Sequence, residues 1–166
     1  YPRSVLPGQS YTVFAFAHLA TGLDVPATQA AEAQAEVVRQ AQEVLNDKID
    51  AYQTATQESA DAVPRDGELT FLLEWDRIRC TPSRQTIVWD EPVQRVDFRI
   101  KAPGELAGQT VRGRLSVFLG GLLLADTNLK VVVTTAGAAE AAAQKQETAR
   151  FYRKVFVSYA HDDKAI

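Results

Sequence analysis

The chain has 166 residues, enough for one well-buried domain plus an appendage. A net charge of −3 lacks the basic footprint of a nucleic-acid or membrane-surface binder, and 23% charged residues is an ordinary globular share. The single cysteine, Cys80, excludes an internal disulfide and fits a reducing, cytoplasmic setting, and no apolar run is long enough to span a bilayer. The absence of methionine and the start at Tyr1 predict a piece of a longer polypeptide.

Residues 1–10, with Pro2, Pro7 and Gly8, read as an irregular lead-in. Residues 11–19 are apolar on both alternating faces, which predicts a central strand. Phe14, Phe16 and His18 share one face, and Val13, Ala15 and Ala17 the other. Asp24 or Thr28 offers a helix cap, and Pro26 suits a first turn. Residues 27–62 then contain neither glycine nor proline and predict one long helix. Val38, Ala41, Leu45, Ile49, Tyr52 and Ala55 draw a narrow apolar stripe along it, which needs a sheet face or a second helix to cover it.

After Pro64, Asp66 and Gly67 the period changes to two. Leu69, Phe71, Leu73 and Trp75 point one way, and the strand is expected to continue through Ile78 to Cys80 after a bend. A short strand follows at residues 86–89. Residues 93–101 alternate cleanly, with Val96, Phe98 and Ile100 inward and Arg95, Asp97, Arg99 and Lys101 outward. Val111, Leu115, Val117 and Leu119 share the inner face of the next strand. Gly120-Gly121 signals a two-residue hairpin turn, and Leu129, Val131 and Val133 face inward on the return. Strands at short, regular spacing predict a mainly β fold with α: an antiparallel, Ig-like β-sandwich, 1–136, with the long helix inserted after its first strand. The last three strands are expected to form a meander. That would gather Arg95, Arg99, Lys101, Arg112 and Arg114 into one basic stripe, either a solvated face or a docking patch for an acidic partner or a nucleotide-like anion.

Beyond Gly137 the segment 137–152 is rich in alanine, glutamine and glutamate, the composition of a helical linker. Lys154 leads into Val155-Phe156-Val157, an apolar run that turns polar at Ser158 and Tyr159 and continues as Ala160, His161, Asp162 and Asp163. This stretch resembles the opening of a bacterial TIR (Toll/interleukin-1 receptor) domain, whose first strand reads roughly VFVSY and runs into a loop reading S/A-H-x-D. Arg153-Lys154 stands where many members carry an acidic residue. The resemblance covers about a tenth of the chain. It implies that 153–166 is the truncated start of an α/β, flavodoxin-like TIR domain, the first strand of a unit that self-associates and in many bacterial members cleaves NAD. The family's catalytic glutamate lies beyond Ile166, so no catalytic residue is expected in this chain. Ser158, Tyr159 and His161 would sit at the strand's carboxyl end, either in a structural role or bordering a nucleotide pocket.

The chemistry elsewhere is sparse. His18 and His161 are the only histidines, and no phosphate-loop or nucleophile-elbow motif occurs. His18 reads as a core or edge histidine with a hydrogen-bond partner, and Cys80 as a small filler. The expectation is therefore a non-enzymatic sensing or assembly module with a protein partner or self-association. Neither cofactor nor metal is expected in this chain, and neither nucleic acid nor membrane as a partner; NAD is the substrate of a complete TIR domain. An accessory domain of an unrelated α/β enzyme and a stand-alone β-sandwich binding module remain open as alternatives.

Overall fold

The structure is a computed structural model and describes residues 1–20 and 25–135. Contacts divide the chain into Tyr1–Thr135 and Ala136–Ile166. The linker helix, the terminal strand and the residues Ser158, Tyr159 and His161 lie outside the described residues.

The first unit is mainly β, with eight strands and one α-helix among the described residues: β1 (Ser4–Val5), β2 (Ser10–His18), α1 (Ala27–Leu45), β3 (Glu68–Trp75), β4 (Arg79–Thr81), β5 (Arg84–Val88), β6 (Val93–Lys101), β7 (Thr110–Leu119) and β8 (Leu122–Val133). They form a five-stranded sheet, β1-β8-β7-β3-β5, and a three-stranded sheet, β2-β6-β4. All pairs are antiparallel except β1, which runs parallel to β8.

Both sheets turn one face to a shared core. Val13, Ala15, Val96, Phe98 and Ile100 enter it from the smaller sheet, and Leu69, Phe71, Leu73, Leu129, Val131 and Val133 from the larger. Period-two alternation predicts this inward set on β3, β6 and β8, and burial bears it out. The Gly120-Gly121 turn forms as the dipeptide predicts, with Gly120 at φ 57° and Leu119 paired to Leu122. Gly113 on β7 sits against the Trp75 indole, with no room for a Cβ.

Four expectations are corrected. The β6-β7-β8 meander does not form, because β6 pairs with β2 and β4 while β7 pairs with β3 and β8. Residues 78–80 do not prolong β3: Arg77, at φ 62°, turns the chain, and β4 joins the other sheet. The lead-in is not wholly irregular, since Ser4 and Val5 pair with Val132 and Val133 and Val5 is buried in the core.

The long helix also stops early. It begins after Pro26, which caps without a side-chain bond, and ends at Leu45 rather than near residue 62. Asn46 takes φ 45°, a conformation asparagine tolerates, and a 3-10 segment, Asn46–Ala51, follows. Tertiary pairing then overrides helix propensity. The Tyr52 ring packs 6.0 Å from that of Phe14, and the Gln53 amide donates to the Tyr1 carbonyl at 2.8 Å. From there the chain returns along the outer flank of β8. Gln53 Nε2 donates to the Lys130 carbonyl and the Ala60 amide to the Leu124 carbonyl, both at 2.8 Å.

Candidate functional site

The outer face of the three-stranded sheet is where charge, aromatic rings and an incomplete cover meet. Its outward positions follow from register. Phe16 faces Arg95, Phe14 faces Asp97, Thr12 faces Arg99 and Ser10 faces Lys101 across β2 and β6. On the other side of β6, Arg79 faces Lys101 and Thr81 faces Arg99.

α1 covers one end of this face. Ala30 and Ala33 are its buried residues, and small side chains let the helix approach β2 and β6. The expected stripe is only partly right: Ala41 and Leu45 are half-buried, but Val38 is 50% exposed and Ile49 41%. The helix has rotated so that its alanines, not its larger residues, meet the sheet. Two open grooves run between helix and sheet. One, of about 740 Å³, is lined by Glu32, Ala33, Glu36, Pro92 and Val93, and the other, of about 660 Å³, by Arg39, Val44, Ile87, Gln94 and Arg95.

The rim of these grooves is acidic and internally organised. Glu36 receives Arg39 at 2.6 and 2.8 Å and Gln40 at 2.7 Å, and Glu43 receives Arg39 at 3.2 Å. The Arg39 and Gln40 hydrogen bonds hold the Glu36 carboxyl down at about 2. Gln94 Nε2 bridges the Val88 carbonyl at 2.8 Å and Asp90 Oδ1, while its own Oε1 is buried without a partner among the described residues. Gln85 Nε2 reaches the Asp97 carbonyl, so two glutamines join β5 to β6 where strand pairing does not.

The other end of the face is basic, and its cations are exposed. Arg95 is satisfied: its Nε meets Asp97 Oδ1 at 2.9 Å, and its guanidinium lies 5.7 Å from the centre of the Phe14 ring. Arg79, Arg99 and Lys101 are exposed, and no ion pair among the described residues includes them. Arg79 and Lys101 stand directly opposite each other, an arrangement that costs stability between like charges.

The predicted basic stripe is therefore split. Arg95, Arg99 and Lys101 lie on one outer face, and Arg112 and Arg114 on the outer face of the other sheet. Arg114 is neutralised there by Asp126 at 2.7 Å and faces Glu74. Arg79, which the prediction omitted, takes the vacated place. Its signal was the alternation Arg79-Cys80-Thr81, legible only once β4 is known to border β6.

The remaining chemistry is muted. His18 Nδ1 lies 2.9 Å from the Leu19 carbonyl, the partnered edge histidine that was expected. Cys80 is half-buried, and desolvation pushes its thiol up to about 11, which suppresses the nucleophilic thiolate. Among the described residues no three His, Cys, Asp or Glu side chains cluster as metal ligands, and no helix is long and apolar enough to cross a membrane. No family model, curated protein or solved structure matches the chain.

Proposed function

We propose that this chain is the non-catalytic sensing and assembly module of a cytoplasmic bacterial TIR-domain signalling or defence protein. Binding of a partner through the module would bring the downstream TIR domains together, and a complete TIR domain of this kind would take NAD as its substrate. The observation that carries the reading is the run Val155-Phe156-Val157-Ser158-Tyr159-Ala160-His161-Asp162-Asp163 after a helix-forming linker. Two features support it. Contacts divide the chain after Thr135, upstream of that run. The three cations Arg79, Arg99 and Lys101 suit a protein surface better than a reaction centre.

The first unit is read as an Ig-like sandwich. The order β8-β7-β3 in one sheet and β2-β6 in the other follows the G-F-C and B-E arrangement of that fold. β4 and β5 depart from it, since the chain visits the smaller sheet before adding an edge strand to the larger.

Two measurements test the proposal. The coding sequence past Ile166 is expected to continue for roughly a hundred or more residues as alternating strands and helices with a glutamate in the catalytic position. Purified residues 1–166 are expected to leave NAD intact; measurable cleavage would overturn the non-catalytic assignment.

A further inference from the structure

We infer that the exposed basic end of the three-stranded sheet is the docking surface for the acidic helix α1 of a second copy of this chain, in a head-to-tail contact. The inference rests on the assembly reading above and names the partner of the surface.

The charge of the described unit is unevenly divided. Between residues 25 and 63 seven acidic side chains face two basic ones, a net −5. The framework, residues 1–20 and 64–135, has eleven basic and nine acidic side chains, a net +2. Glu32, Glu36 and Glu43 fall at spacings of four and seven on α1, so they share one face of the helix. Asp47 and Asp50 continue the acidic run in the 3-10 segment that follows. Arg39 answers Glu36 and Glu43, whereas Glu32, Asp47 and Asp50 have no ion pair among the described residues.

Within one copy α1 lies beside Leu19 and Val93 and Tyr52 packs on Phe14, while the exposed Arg79, Arg99 and Lys101 beyond have no ion pair among the described residues. An uncompensated like-charge pair costs stability, so an opposite charge from outside relieves it. The same complementarity speaks against helix-to-helix pairing of two copies, which would set one acidic face on another. The exposed Ile49 of the 3-10 segment, between Asp47 and Asp50, and the aliphatic stems of Arg99 and Lys101 supply apolar area beside the charges. A contact between two different patches is heterologous, and it propagates into a ring or an open chain.

The test is sedimentation or light scattering of the full chain against concentration, at about 0.05 M and about 0.5 M salt, where screening differs strongly. The wild type is expected to exceed twice the single-chain mass of 18.2 kDa at low salt and to return to it at high salt. Arg99→Gln with Lys101→Gln should stay monomeric at both, as should Glu32→Gln with Asp47→Asn. Mixed, the two variants retain one complementary pair of patches and should stop at a 1:1 dimer. All four side chains are exposed, and thermal melting checks that each variant is folded; Lys101→Gln alone and Glu32→Gln alone serve where a double variant is not.

A wild type that remains monomeric, or a mixture that does, would overturn the inference. So would capture of an acidic peptide by Arg99 and Lys101 without any self-association. Variants that associate like the wild type would remove this surface while leaving the assembly reading intact. Failure of that reading shows separately, in NAD turnover and in the coding sequence past Ile166.

Discussion

The two outer faces of the molecule differ in how much positive charge they leave unmatched. On the five-stranded sheet one arginine of β7 is matched across the ladder and the other is not. Arg114 pairs with Asp126 and faces Glu74, whereas Arg112 stands opposite Lys130 and has no ion pair among the described residues. Asp126 also accepts from Ser116 Oγ at 3.0 Å, which satisfies a buried hydroxyl. On the three-stranded sheet only Arg95 is matched, and Arg79, Arg99 and Lys101 crowd together. Each face thus carries a matched arginine and a like-charge pair, and the three-stranded face adds Arg99. The cost is more concentrated on the smaller sheet, where Arg79, Arg99 and Lys101 lie together, and such a concentration points to a task outside folding.

Substitutions can sharpen or break this contrast. The largest effect belongs to neither outer face but to the core they enclose. Phe98→Ala, at a fully buried position between the outward Asp97 and Arg99, should lower unfolding free energy by about 4 kcal/mol in denaturant titration. Gly113→Ala follows at about 3 kcal/mol, because the new methyl would overlap the Trp75 ring. On the five-stranded face, Asp126→Ala should cost about 1 kcal/mol by stranding the Ser116 hydroxyl and releasing Arg114. On the three-stranded face, Lys101→Glu should do the reverse and raise stability by a few tenths, about 0.3 kcal/mol, by facing Arg79 with a carboxylate. A loss there as large as that of Asp126→Ala would erase the distinction between the faces.

The smallest effect is one of pH. The folded state lowers the Glu36 carboxyl to about 2, so its support of α1 is present above the ordinary carboxylate range and is lost as pH falls through that value. Helical circular dichroism of Glu36→Gln should lack that acid-dependent step.

Which side chains face inward was legible, and which strands are neighbours was not. The alternation of Val96, Phe98 and Ile100 with Arg95, Asp97, Arg99 and Lys101 assigns sides from the pleat alone, and the Gly120-Gly121 turn joins its strands locally. Neighbours depend on contacts far apart in the chain. β6 follows β5 yet pairs with β2, and β4 leaves the larger sheet for three residues. The basic stripe failed at that point, since its two halves were each placed correctly on a strand and wrongly beside each other. The end of α1 was hidden for the same reason: alanine, glutamine and glutamate continue past Leu45, and contacts distant in the chain, with Phe14, Tyr1 and Lys130, draw Tyr52 and Gln53 away. β1 is two residues long and is defined by its place beside Val132 and Val133.

The returning segment after Tyr52 has a consequence for any attempt to trim this unit. β8 is twelve residues long, and β1 covers only two of them on the flank opposite β7. The tethers at Lys130 and Leu124 hold the segment along the rest, over backbone groups that would otherwise template a foreign strand. Replacing the helical insertion with a tight loop would therefore bare an adhesive border and turn a well-behaved domain into an aggregating one. The insertion is a guard as well as an ornament, and it cannot be removed without a substitute.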